Sequence, residues 1–314
     1  MTRHWIIAFP VAVLLAAVPW LVDDVVVQFG ISALLVATLA QAWNIIGGFA
    51  GYVSFGNSVF YGLGTYGTAI AMVQFNQPFW LSLGAGAVLA MLCALLLGMP
   101  ILRLRGPYFA IATLGLSAAM GAIFANLPIA GANIGLILPL TRSDPMFYEL
   151  SLGLLVAATG AVAWIARSRF GMALVAVRED EDAAGAMGVN TTFYKVLALI
   201  VSALFTALAG GIHAYWITFI DPASAFDLTL NVQMVIMAVF GGPGTVFGPV
   251  IGAFILSVIY EYLSSSLSTA AALLFGVVIV LAVVFMPKGI VDLAGGLRRD
   301  GLSYFLRNVR AYRL

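Results

Sequence analysis

The chain alternates long apolar runs with short polar or glycine-rich segments. A membrane-spanning helix needs about 20 apolar residues, and ten runs approach that length. Glycines interrupt the third run and the eighth is short, so either is a candidate for a broken or re-entrant helix. The pattern predicts an all-α, polytopic transmembrane helical bundle of about ten spans, within a range of eight to ten. The runs cover residues 5–22, 26–46, 51–73, 79–101, 107–127, 148–166, 194–214, 228–241, 246–264 and 268–287.

Composition supports a membrane protein. The chain is 63% hydrophobic and 9% charged, whereas soluble chains are about 45–50% apolar and about 25% charged. A soluble core cannot bury that much apolar surface, so lipid must solvate part of it. The net charge of +1 gives no electrostatic support for nucleic-acid binding. The single cysteine, Cys93, lies in an apolar run and is interpreted as a packing residue.

The basic residues predict the topology, because Lys and Arg near span ends prefer the cytoplasmic side. With the N-terminus inside and alternating spans, all Lys and Arg residues except Arg142 fall inside. Both termini are therefore predicted to be cytoplasmic, with a transmembrane domain over 1–290 and a basic tail over 291–314. The first run, 5–22, is interpreted as a span, with a cleaved signal peptide as the alternative.

The chemistry that the sequence lacks narrows the function. Acidic residues lie near predicted span ends, whereas proton-driven carriers usually keep an ionisable group at mid-membrane depth. A sodium-coupled carrier that uses backbone carbonyls stays open. The sequence has no Gly-x-x-x-x-Gly-Lys-Ser/Thr phosphate loop, His-Glu-x-x-His pair or Gly-x-Ser-x-Gly elbow. We therefore predict no enzyme activity, metal site or cofactor in this chain; scattered polar residues are all that favours a membrane-embedded enzyme.

The longest predicted inner loop covers residues 167–193. Its middle, 174–187, is rich in helix formers, and Gly188 followed by Asn190 supplies a helix stop. The pattern predicts a short amphipathic helix on the cytoplasmic face. A solvated loop helix with an acidic cluster is the plain alternative.

Two glycine-rich segments resemble each other. Residues 47–51 follow the second run and 241–244 follow the eighth, and a Phe-Gly pair comes shortly after each. This echo fits a parallel repeat, and such breaks often line a translocation path; close helix packing is the alternative. The glycines assigned to these breaks are Gly47, Gly48, Gly51, Gly241, Gly242, Gly244 and Gly248.

Several motifs follow one another in an order that is typical of one family. They are 47–56 (GGFAGYVSFG), 103–110 (RLRGPYFA), 168–171 (SRFG), 178–184 (REDEDAA) with Gly188, 241–249 (GGPGTVFGP) and 287–289 (PKG). From about residue 40 to 290 the chain resembles the LivM-type permease subunits of ABC importers for branched-chain amino acids.

The resemblance implies a role for the inner loop and a set of partners. In ABC permeases a cytoplasmic Glu-Ala-Ala-x-x-x-Gly element is the coupling helix that docks on the ATPase, and residues 182–188 match it with aspartate in place of glutamate. The implied partners are a second permease chain (a heterodimer), two ATP-binding subunits that hold the ATP, and an extracytoplasmic solute-binding protein, at a bacterial inner membrane. The implied coupling residues are Arg178, Glu179, Asp180, Glu181, Asp182, Ala183, Ala184 and Gly188.

The implied substrates are leucine, isoleucine and valine. The chain departs from the family pattern at Asn57, where many members carry histidine, and at 130–135, which lacks the usual polar positions. A permease for urea, short amides or another small organic solute is therefore the alternative, and a secondary carrier is less favoured. Polar residues in or beside apolar runs are candidates for the pathway, or for plain interhelical hydrogen bonds: Asn44, Tyr52, Ser54, Asn57, Tyr108, Thr113 and Asn133.

Overall fold

The structure, a computed structural model, describes residues 15–141, 143–266, 276–277, 280 and 289–293. Most of the predicted spans 5–22 and 268–287, most of the tail 291–314, and Arg142 lie outside the described residues.

Eleven α-helices are present in this described part of the chain. In chain order they are α1 (Asp24–Asn44), α2 (Asn57–Val73), α3 (Phe79–Ile101), α4 (Pro107–Ala125), α5 (Asp144–Ile165), α6 (Arg169–Glu179), α7 (Glu181–Ala186), α8 (Thr191–Ile217), α9 (Pro222–Ala225), α10 (Leu228–Gly241) and α11 (Gly248–Ser266).

Seven segments of the described chain are long and apolar enough to cross a membrane. The chain is therefore a multi-pass helical bundle, and α2, with 17 residues, lies mostly buried within it. The seven segments are Asp24–Phe49, Phe79–Ile101, Pro107–Ala125, Asp144–Ile165, Thr191–Ile217, Pro222–Gly241 and Gly248–Ser265.

The helices are interrupted at two places, one at the start of the third predicted run and one after the eighth. After α1 the chain forms a π-helical turn, Ile45–Phe49, and stays non-helical over residues 50–56, here called the first break. Gly51 has φ +75° there, a conformation that glycine adopts without steric cost. The eighth run, 228–241, is not broken: it forms the continuous helix α10, and the short helix α9 precedes it. Residues 242–247, here called the second break, separate α10 from α11.

The core is built on close contacts between small residues. Helix α2 packs against α3 and α8. A Cβ on Gly64 of α2 would lie 2.1 Å from the carbonyl oxygen of Ala207, and one on Gly210 of α8 would lie 2.4 Å from that of Tyr61. Helices in lipid gain stability from such backbone approach, because no hydrophobic force drives them together.

Contacts between loops distinguish the two ends of the bundle. At one end, here called the basic end, Arg105 after α3 reaches α7, and Lys195 near the start of α8 reaches the end of α3. At the opposite end, two-residue strands β1 (Leu136–Ile137) and β2 (Phe219–Ile220) pair antiparallel. This small ladder departs from the all-α prediction, since it depends on pairing between distant loops.

We expect Gly64→Ala to lower the thermal stability of the chain, because the added methyl group must displace the α8 backbone. Overpacking of this kind costs about 1–3 kcal/mol, which we would measure as a lower Tm in detergent. The matched control is Gly153→Ala in α5, where an added Cβ meets nothing within 4 Å. An equal Tm for the two variants would contradict the close α2–α8 contact.

Candidate functional site

Residues 167–193, for which a coupling role was predicted and which are here called the coupling segment, form two short helices instead of the single helix predicted over 174–187. Asp180 ends α6 in an extended conformation, and its side chain accepts a hydrogen bond from the amide of Ala183 (2.9 Å), which caps α7. Aspartate favours this N-cap position over a helix interior, so the prediction of one continuous helix was wrong. Asn190 caps α8 in the same way through the amide of Phe193 (3.1 Å).

A buried ammonium joins the coupling segment to the bundle. The Lys195 side chain is 3% exposed. Its Nζ donates to Glu181 Oε1 (2.6 Å) in α7, to the Tyr52 hydroxyl (3.0 Å) in the first break and to the carbonyl of Leu102 (2.9 Å) after α3. An ammonium has three donors, so each one meets an acceptor from a different segment.

Two carboxylates of α7 bind the bundle, Glu181 from a largely buried position and Asp182 at the surface. Glu181 also accepts hydrogen bonds from the hydroxyls of Tyr52 and Thr191, and Asp182 accepts two from the Arg105 guanidinium (2.8 and 2.9 Å). Burial acts to raise the pKa of Glu181, but the bonds from Lys195 and Tyr52 outweigh it and lower that pKa. The hydrogen bond and charge of Arg105 lower the pKa of Asp182. Both groups therefore stay anionic at neutral pH.

Arg178 gives the coupling segment a second attachment near the first break. Its Nη1 donates to the carbonyl of Gly48 (3.0 Å), and its Nη2 pairs with Glu179 (2.8 Å). A Cβ on Gly51 would lie 2.5 Å from the Arg178 side chain. The coupling segment thus holds the chain before the break through Arg178 and within it through Glu181.

The two glycine-rich segments contact each other. Asn44 Nδ2 donates to the carbonyl of Thr245 (2.9 Å), and Asn44 Oδ1 accepts from the amide of Gly244 (2.7 Å). A Cβ on Gly48 would lie 2.4 Å from that amide. Asn44, a pathway candidate in the sequence, therefore cross-links the end of α1, next to the first glycine-rich segment, to the second break.

The coupling segment carries a groove with exposed apolar side chains among its charged surface residues. A groove of about 530 Å³ is lined by residues of α6, the α7–α8 turn and α8. Three large side chains in it are exposed: Met172, Met187 and Phe193. Exposed apolar patches of this kind mark contact surfaces. Ala183 and Gly188 are exposed as well, whereas Ala184 is buried.

Three pathway candidates lie together in the bundle. Ser54 and Thr113 line a small cavity of about 20 Å³ together with Gly56. Thr113 Oγ1 accepts from the Phe55 amide (3.1 Å). Asn57, the third, donates to Ser202 (3.1 Å), and its Oδ1 has no partner among the described residues.

Three further polar residues beside this group were not predicted. Ser58 Oγ contacts Ser117 Oγ (2.9 Å) and accepts from Asn231 Nδ2 (2.8 Å), while Asn231 Oδ1 accepts from the Ser58 amide (2.7 Å). A polar residue within an apolar run was the available signal for each. Lys195 was also missed, since it was used only to count charges.

The remaining candidates lie apart. Tyr108 is 73% exposed on α4, and Asn133 is exposed in a 3-10 turn near the opposite end. Tyr52 lines a cavity of about 370 Å³ at the basic end, with Arg105, Phe109 and Glu181 among its walls.

Comparison with known proteins identifies the family. A family described as the permease component of branched-chain amino acid transport systems matches residues 25–284. The chain belongs to this family. It is therefore a permease component of an ABC transport system, as the motifs predicted. No solved structure matches the chain.

Its relatives include permease proteins of branched-chain amino acid systems and of an autoinducer 2 system. The high-affinity branched-chain amino acid transport system permease protein LivM of Escherichia coli (strain K12) is 28% identical, over 91% of this chain and 75% of the relative. The corresponding LivH protein of Salmonella typhimurium is 24% identical, over 81% of this chain and 90% of the relative. The autoinducer 2 import system permease protein LsrC of Photorhabdus laumondii is 33% identical over 37% of each chain.

We expect Asn44→Ala to destabilise the chain, because it leaves the Gly244 amide and the Thr245 carbonyl without partners. An unpaired buried group costs about 1–3 kcal/mol, measured as a lower Tm in detergent. Asn126→Ala is the control, since Asn126 bonds only to Ala122 at the exposed end of α4 (2.8 Å). A wild-type Tm for Asn44→Ala would argue against the cross-link.

Proposed function

We propose that this chain is one permease subunit of an ABC importer for leucine, isoleucine and valine in a bacterial inner membrane. The observation that carries the proposal is the pair of attachments that the coupling segment makes around the first break, through Arg178 to Gly48 before it and through Glu181 to Tyr52 within it. In a permease, a cytoplasmic segment that is bound to a break between helices can move those helices and so open or close the translocation pathway.

The energy comes from other chains in this proposal. Two ATP-binding subunits bind and hydrolyse ATP, and this chain catalyses no reaction and needs no cofactor of its own. Met172, Met187 and Phe193 form the apolar surface on which an ATP-binding subunit docks, with Arg178, Glu179, Asp180, Ala183 and Gly188 beside it. Glu181 and Ala184 secure α7 from its buried side, and Asp182 secures it at the surface through Arg105.

The pathway requires a second permease chain and a solute-binding protein at the outer face. Relatives of both the LivM and the LivH kind support a heterodimer. The proposed arrangement has eight to ten spans, both termini in the cytoplasm, a transmembrane domain over 1–290 and a tail over 291–314. The convergence of Arg105, Arg178 and Lys195 at one end of the bundle supports a cytoplasmic basic end.

Branched-chain amino acids are favoured as substrates because the LivM and LivH relatives are named for them and match most of the chain. A different small solute is the second candidate. The LsrC relative belongs to an autoinducer 2 import system, and the outer loop at 130–135 lacks the usual polar positions. Urea and short amides fall within this second candidate.

We expect ATP-dependent uptake of radiolabelled leucine in proteoliposomes that hold the assembled complex and its solute-binding protein. Excess isoleucine or valine should compete, and excess urea or acetamide should not. Complexes without ATP are the control. Uptake that follows an ion gradient in vesicles of this chain alone would instead identify a secondary carrier.

We expect Met187→Asp to weaken binding of the ATP-binding subunits, because the side chain is 86% exposed at the apolar groove and a carboxylate there must be desolvated on docking. Co-purification of the subunits measures the effect. Phe75→Asp is the control, because Phe75 is 60% exposed and follows α2 at the opposite end. Equal co-purification of both variants would remove the groove from the docking surface.

A further inference from the structure

We propose that Tyr52 and Phe109 form a gate at the basic end of the translocation path, and that Lys195 and Glu181 tie this gate to the coupling segment. The inference rests on the proposed function, which it deepens. Its starting point is the position of Phe109, which lines both the 370 Å³ cavity at the basic end and the 20 Å³ cavity beside Ser54 and Thr113.

The gate itself is an aromatic contact. The edge of one ring meets the face of the other between Tyr52 and Phe109, with centroids 5.0 Å apart and an interplanar angle of 90°. Edge-to-face pairs are favourable and easily separated, since each contributes only about 0.5–1.5 kcal/mol. Phe109 is 1% exposed and lines both cavities, and its ring is the proposed barrier between them.

The hydroxyl of Tyr52 is held by charges. It donates to Glu181 and accepts from Lys195 Nζ (3.0 Å), whose ammonium also lies 4.8 Å from the centre of the Tyr52 ring. Hydrogen bonds to ionised groups are about twice as strong as neutral ones. Tyr52 therefore cannot leave Phe109 unless Glu181 moves with it or releases it.

Glu181 is the first residue of α7, the helix that carries the proposed coupling motif. A displacement of α7 therefore pulls on Tyr52 through Glu181. It also pulls on Arg105, in the loop between α3 and α4, through Asp182. Lys195 anchors Glu181 and Tyr52 to the bundle, because its third hydrogen bond goes to the carbonyl of Leu102 after α3. Lys195 thus acts as a positioning residue for the gate, without contact to substrate.

The gate can be tested by chemical access from the cytoplasmic side. The thiol introduced by Thr113→Cys in a Cys93→Ala background lies beyond Phe109. We would measure its rate of modification by a membrane-impermeant thiol reagent in inside-out vesicles that hold the assembled complex. We expect this rate to rise by about tenfold or more in each of three variants. Phe109→Ala removes the aromatic ring of the gate, and Tyr52→Phe and Lys195→Met each remove a charge-assisted hydrogen bond that holds it.

Tyr148→Phe is the matched control. It removes a hydroxyl from a buried tyrosine of α5 that lines neither cavity, so the labelling rate should equal that of the parent. Tyr52→Phe keeps both the ring and the charge pair, so its result holds even where Lys195→Met fails to assemble. A parental rate in both Tyr52→Phe and Phe109→Ala would overturn the gate.

The link between Tyr52 and the coupling segment, here called the tie, is tested by a separate measurement. In complexes that carry Tyr52→Phe, we expect ATP hydrolysis near the parental rate and leucine taken up per ATP hydrolysed reduced by about tenfold. Parental uptake per ATP would overturn the tie. Equal loss of hydrolysis and uptake would also overturn it, because it indicates a merely structural role.

The proposed function and the proposed gate are rejected by different results. Absence of ATP-driven uptake in the parental complex would reject the proposed function. Normal uptake in the parent, with Tyr52→Phe and Phe109→Ala unchanged in labelling and in uptake per ATP, would reject the gate alone.

Discussion

The structure of the basic end depends on the buried ammonium of Lys195. A charge removed from water must be paired and fully hydrogen-bonded, or the cost exceeds what packing returns. The three acceptors come from Glu181, Tyr52 and Leu102, which belong to segments far apart in the chain. Their convergence fixes α7, the first break and the end of α3 relative to one another.

The middle of the bundle follows a different rule. There the described polar contacts are neutral, as between Ser58, Ser117 and Asn231, and helices α2 and α8 meet through glycine and alanine. Neutral hydrogen bonds in a membrane contribute about 0.6 kcal/mol on average, so they can exchange partners at low cost. The bundle thus combines a rigid, charged end with a core whose polar contacts are individually weak.

The sequence predicted the features that depend on local pattern. Apolar runs gave the helical bundle, and the glycine echo located two segments that contact each other through Asn44 and Gly244. The break at Asp180 was missed because helix-forming residues surround a single capping residue. The bonds of Lys195 to Tyr52 and Leu102 could not be predicted from the sequence. Periodicity shows which residues share a helix face, but it does not identify partners that are 143 and 93 positions away.

The coupling segment has two chemically distinct faces, and this difference suits transmission of force. Met172, Met187 and Phe193 present apolar surface outward, where methionine adapts to the shape of a partner. Toward the bundle, Glu181 makes directional bonds to Lys195 and Tyr52, and Asp182 makes them to Arg105 at the surface. Because α7 has only six residues and is capped by Asp180, it has little length over which to bend. In the proposed coupling role, a partner bound at the groove moves the residues that flank α7, and the short helix carries this movement as one unit to Tyr52 through Glu181 and to Arg105 through Asp182.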